Sequence, residues 1–157
     1  MRYVLEAVLI GSAAMGGWML AGPGAPAPSE SVAAADAGRA RAFGFCHSGG
    51  GTDCVVDGDT FWMDGTKIRV SDIDAPETHP SRCPEEARLG EAATKRLQAL
   101  LSAGPVTLEI GERATDKYGR ALRIVTRGGK SLGEQLVSEG LARRWTGRRQ
   151  PWCDGQS

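Results

Sequence analysis

Five side chains carry the chemistry this sequence can offer. Asp59 and Asp74 are hard oxygen donors suited to a divalent cation, and Glu77, three residues past Asp74, is a carboxylate that could take a proton from water. Arg69 and Arg120 present planar forks that match phosphate oxygens in pairs, as lysine cannot. Hydrolysis of a phosphodiester asks for those functions together: neutralise the anion, activate water, and stabilise charge in the transition state. Each residue type is common by itself, since Asp-x-Asp recurs in turns and a strand arginine is ordinarily solvated. An EF-hand beginning at Asp57 is excluded, because Phe61, Trp62 and Ile68 stand where an oxygen ligand, a glycine and a bidentate glutamate are required. His47 and His79 read as exposed loop residues.

The elements that must position these groups are legible from pattern. From Asp53 to Ile73, β-branched and aromatic residues alternate with polar ones, punctuated by Asp57-Gly58 and Asp64-Gly65, both turn signals. The second predicts a hairpin between Thr60–Met63 and Lys67–Val70, with Phe61, Met63, Ile68 and Val70 as face residues. Pro76 and Pro80 then force an irregular loop. Pro84-Glu85-Glu86-Ala87 opens a helix in which Leu89, Ala92, Ala93, Leu97, Leu100 and Leu101 recur at helical spacing, until Gly104-Pro105 stops it. Val106–Ile110 and Ala121–Val125 read as strands around a turn at Asp116–Gly119, and Ser131 caps a short helix to Gly140 with Glu134 at the capping-box position. Strands, helix, strands, helix without βα alternation excludes a doubly wound sheet and favours a small closed barrel.

The organisation along the chain is threefold. Residues 1–22 form an apolar leader whose uncharged run, Ala7 to Leu20, is about 21 Å long as a helix, short of the roughly 30 Å of a bilayer core. Signal peptide and membrane anchor both stay open, and either implies export, to the periplasm or the outside. A Pro/Ala/Gly-rich linker follows over 23–42, and one domain over 43–157. Four cysteines allow three pairings; Cys46 with Cys54, closing a short Gly-rich loop, and Cys83 with Cys153, stapling the tail, is the expected one. No Cys-x-x-Cys spacing supports zinc. The chain is neutral with 19 basic and 19 acidic residues, and setting aside Arg2, Glu6, Glu30 and Asp36 leaves the remainder at about +2, which excludes binding nucleic acid by bulk charge alone. Arg143, Arg144, Arg148 and Arg149 gather near the end, a cluster more typical of a solvated face.

Three ordered segments carry a resemblance. Val55-Val56-Asp57-Gly58-Asp59-Thr60-Phe61, Ile68-Arg69-Val70-Ser71-Asp72-Ile73-Asp74-Ala75-Pro76-Glu77-Thr78 and Thr115-Asp116-Lys117-Tyr118-Gly119-Arg120 resemble the signature segments of staphylococcal (thermonuclease-like) nuclease homologues, over about Asp53 to Ala142. The resemblance implies a mainly β OB-fold, a five-stranded barrel with two to three α-helices. It implies one calcium ion (Ca2+) held by the carboxylates of Asp59 and Asp74 and the backbone carbonyl of Ala75. Glu77 would position or deprotonate the attacking water. Arg69 and Arg120 would grip the phosphate, with Arg120 also lying toward the leaving 5′ oxygen, and Lys117 and Tyr118 would contact a terminal phosphate. The substrate would be DNA and/or RNA, cleaved by a monomer to leave 3′-phosphate ends.

The sequence departs from that pattern in three places. Ala75 stands where threonine is frequent, which a main-chain ligand tolerates. The tail after Trp145 is too short for the third helix of longer members, and the Cys83–Cys153 bridge is expected to replace its packing. Trp145 and Trp152 are the only base-stacking candidates near that end. The competing reading is a non-catalytic OB-type module binding nucleic acid or protein at the cell envelope, since fold alone does not set function. The presence of all five reactive groups favours hydrolysis.

Overall fold

The computed structural model describes residues 40–47 and 51–153. The leader expected over 1–22, and the linker as far as residue 39, lie outside the described residues. The order is β1 (Gly44–Phe45), β2 (Cys54–Asp57), β3 (Thr60–Met63), β4 (Thr66–Val70), β5 (Ile73–Asp74), α1 (Pro84–Ser102), β6 (Thr107–Glu109), β7 (Ala121–Arg127), β8 (Lys130–Ser131), α2 (Leu132–Ser138) and β9 (Arg143–Arg144).

β3 and β4 form the expected hairpin, pairing Phe61 with Ile68 and Met63 with Thr66. Asp64 and Gly65 turn it at φ of 50° and 73°. Two positive φ angles give the turn whose twist matches the strands, and Asp-Gly tolerates them best. Phe61, Met63, Ile68 and Val70 are all buried. Because side chains alternate along a strand, Arg69 projects to the opposite face from Ile68 and Val70.

The main sheet runs β1-β2-β3-β4-β7-β6, with β8 beside β7, and β5 pairs separately with β9. β4 and β7 are parallel, Ile68 opposite Ala121 and Arg69 opposite Leu122, whereas β2/β3, β3/β4 and β6/β7 are antiparallel. The five longer strands, β2-β3-β4-β7-β6, have the OB-type arrangement. Closure is incomplete: among the described residues β6 is not hydrogen-bonded to β1 or β2. Leu97, Leu100 and Leu101 of α1 instead join Phe43, Val55, Phe61, Val106 and Val125 in one core. Phe43 meets Phe61 edge-on, with ring centres 6.0 Å apart.

α1 opens on Cys83, whose sulfur accepts from the Glu86 N–H at 3.4 Å, and continues with Pro84, which needs no amide partner at that position. Its buried face differs from the expected apolar stripe. Glu86 and Gly90 lie on it and Leu89 is only half-buried, because the first half of the helix packs on the backbone of residues 76–77 and on Cys153 rather than on aliphatic side chains. Glu86 is fully buried, tied to Arg82 by contacts of 2.5 to 3.2 Å. Ser131 caps α2 by accepting from the Glu134 N–H, but the Glu134 carboxylate engages Arg144 at 2.6 to 3.0 Å in place of closing a capping box. No third helix follows among the described residues. The tail over 146–153 is irregular, and both expected disulfides, Cys46–Cys54 and Cys83–Cys153, are present.

Candidate active site

The tight turn after β2 begins the site. The Asp57 carboxylate accepts from the Asp59 N–H at 3.1 Å, which directs Asp59 inward, where it is 3% exposed. Asp59 Oδ1 takes the Thr60 hydroxyl at 2.9 Å, and Oδ2 takes the Ala75 N–H at 3.3 Å and Arg69 Nη2 at 3.0 Å. The same Arg69 nitrogen lies 3.7 Å from Asp74 Oδ1. Arg69 Nη1 donates to the carbonyls of Val70 and Ile73, and its guanidinium lies 5.2 Å from the Trp145 ring. The buried side chain is thus held by contacts with strand ends and with Trp145, unlike an exposed arginine.

Asp74 is placed by β5, whose pairing with β9 sets it opposite Arg143. Its Oδ2 accepts from the Trp152 indole N–H at 3.3 Å. Its Oδ1 is buried and has no hydrogen-bond partner, although Arg149 Nε lies 3.1 Å away. Arg149 also pairs with Glu77, so one guanidinium spans Asp74 and Glu77.

Burial dominates the titration of two carboxylates in this corner. Burial, reinforced by the neighbouring Asp59 charge, pushes Asp57 up to about 7. Burial likewise raises Asp74 above its ordinary value, against the pull of Arg149. Among the described residues no three acidic, histidine or cysteine side chains gather closely enough to hold a metal by themselves. Asp59 and Asp74 are nevertheless hard oxygen donors, and Asp74 Oδ1, buried without a hydrogen bond and ion-paired with Arg149, is an oxygen that a cation suits.

Arg120 comes from the neighbouring strand, at the start of β7, where Asp116 orders the turn. Its carboxylate accepts from the Tyr118 and Arg120 N–H groups at 2.9 and 3.0 Å and from Arg120 Nε at 2.7 Å. Lys117 and Arg120 both lie by the Tyr118 ring, at 5.0 and 5.6 Å, and that ring is 72% exposed. Arg69, Glu77, Lys117, Tyr118, Arg120 and Arg149 line a single open cleft. Asp59 and Asp74 lie buried beside it, in contact with Arg69 and Arg149. Groups separated along the chain therefore converge.

Two participants were not legible as such. Arg149 belonged to a basic cluster that reads as solvated, yet it sits between Asp74 and Glu77. Trp152 was a base-stacking candidate, but Arg143 covers its ring at 3.8 Å and its N–H is spent on Asp74. The signal that could have found both is Cys153, because its bond to Cys83 brings the tail to the start of α1.

The described residues thus form a small OB-type barrel in which arginines line a cleft beside buried aspartates. Residues 67–155, more than half of the chain, match the family model described as staphylococcal nuclease homologue, and the chain belongs to that family. The match begins at Lys67, so Asp59, which contacts Arg69, lies outside the matched residues. Endonuclease YncB of Bacillus subtilis is 43% identical over 98 residues, covering 58% of this chain and 45% of the relative. Endonuclease YhcR of the same organism is 39% identical over 101 residues, 57% of this chain and 8% of the relative. Succinoglycan biosynthesis protein ExoI of Rhizobium meliloti is 33% identical over 97 residues, 59% and 50%. The matched region is thus at most half of these relatives.

Proposed function

We propose that the chain is an exported, calcium-dependent nuclease that hydrolyses phosphodiester bonds of DNA, RNA or both and leaves 3′-phosphate ends. The observation that carries this reading is the convergence of Arg69, Arg120 and Glu77 on one cleft beside the buried Asp59 and Asp74. Calcium held by Asp59, Asp74 and the Ala75 carbonyl would supply charge neutralisation at the phosphate. Arg69 would offer donors to the equatorial oxygens by exchanging contacts it now makes with Asp59, Val70 and Ile73, and Arg120, at the start of the neighbouring strand β7, adds a second fork toward the leaving oxygen. Glu77 positions water and accepts its proton once its pairing with Arg149 opens. Lys117 and the exposed Tyr118 contact a terminal phosphate. One chain supplies every group, in keeping with a monomer.

Two disulfides in a small domain, together with an apolar leader, support export to an oxidising compartment, whether or not the leader is cleaved. Two of the similar proteins above are named endonucleases, whereas ExoI is named for polysaccharide biosynthesis. A non-catalytic module is therefore the alternative outcome of the test. Full-length chain with disulfides formed, given single-stranded DNA, duplex DNA and RNA with calcium, magnesium or chelator, should cleave only with calcium. Binding without cleavage under every condition would leave only the binding module.

A further inference from the structure

We infer that Trp152 is a positioning residue for Asp74, carried to the site by the disulfide-anchored tail over 146–153. The inference rests on Asp74 being a cation ligand. Indole N–H is a donor only, so it can hold Asp74 solely as an acceptor, and it takes Oδ2 at 3.3 Å. The other oxygen, Oδ1, is left buried without a hydrogen bond. One oxygen is thereby tethered, which fixes the carboxylate's rotation, while its twin is ion-paired with Arg149 Nε at 3.1 Å, a charge that a bound cation would have to displace.

Trp152 is itself held from three directions. Arg143 covers its face at 3.8 Å, and the same arginine donates to the Pro151 carbonyl at 2.8 Å. Arg143 stands opposite Asp74 in the β5/β9 pair, so Asp74, Arg143 and Trp152 form a closed circuit of contacts. The next residue, Cys153, is bonded to Cys83, the cap of α1, and its sulfur lies 3.9 Å from the buried Glu86. A tail too short for another helix is built instead as a strap that orients a ligand. Groups that orient a metal ligand change affinity by about 10- to 100-fold when removed.

The test uses the full-length chain and calcium itself. Trp152→Phe keeps the ring and its stacking on Arg143 but deletes the donor, and calorimetry should find calcium binding weakened by about tenfold at an unchanged melting temperature. A second measurement needs no stable variant: in wild-type chain labelled with nitrogen-15 tryptophan, the Trp152 indole resonance should shift when calcium is added. Wild-type affinity in Trp152→Phe, or an indole resonance unmoved while calcium binds, overturns the inference alone. A wild-type chain that binds no calcium removes the cation reading and this inference together.

Discussion

Replacing Gly90 by alanine would probe how α1 sets the position of Glu77. Gly90 is buried on α1, and a methyl built there would stand 2.8 Å from the carbonyl oxygens of both Pro76 and Glu77 and 3.0 Å from the Glu77 carbonyl carbon. Ordinary contact begins at 3.4 Å, so helix and loop must part by about 0.6 Å, and the obstacles are backbone atoms that cannot rotate away. In an open helix the same change would stabilise by about 1 kcal/mol. Overpacking costs about 1–3 kcal/mol, so the variant should be less stable than wild type by up to about 2 kcal/mol. Because the displaced loop carries Glu77, turnover should fall about 10- to 100-fold, the sensitivity expected of a sub-ångström misplacement at a reacting group. Urea unfolding reads the first effect and steady-state cleavage of a fluorescent oligonucleotide the second. A Gly90→Ala variant about 1 kcal/mol more stable than wild type, with full turnover, would refute the close approach and the argument built on it.

Arg69→Lys should lower turnover by at least about a hundredfold, since an ammonium cannot reproduce the fork that reaches Asp59, Val70 and Ile73 together; near-normal rates would remove Arg69 from the chemistry. Arg149→Ala deletes the positive charge that spans Asp74 and Glu77, so calcium should bind the substrate-free protein several-fold more tightly by calorimetry, and unchanged or weaker binding would contradict the competition. Hydrogen bonds from Arg82 hold Glu86 below its ordinary value of 4.5, so its contribution to stability is present above that pH and disappears as pH falls through the lowered folded value. Melting curves of wild type and Glu86→Gln should therefore differ most near neutrality and converge in acid; a constant gap would show that the charge is immaterial.

Much was legible locally. Asp64-Gly65 specifies its hairpin turn by backbone conformation, Pro84 and Gly104-Pro105 bound α1, and Ser131 marks the start of α2, because each acts through dihedral angles or nearby hydrogen bonds. Both disulfides match the preferred one of the three pairings that four cysteines allow, a short closed loop and a tethered tail. The order of Asp59, Arg69, Asp74, Glu77, Lys117, Tyr118 and Arg120 carried the resemblance, and these groups do gather around one cleft.

Other features belong to the tertiary structure alone. The buried position of Glu86 in place of Leu89 depends on Arg82 and on the backbone of residues 76–77, which no helical period encodes. Incomplete closure of the barrel, with α1 packed on β2 and its leucines in the shared core, is likewise a matter of packing between distant segments. Trp152 meets Asp74 across 78 residues, and Arg149 enters the same corner, only because a disulfide and the two-residue β5/β9 pair fold the tail back. Residue type and spacing determine what a segment can form and which chemistry its side chains permit. Which charges face one another is decided by packing between distant segments, where a contact leaves no periodic trace along the chain.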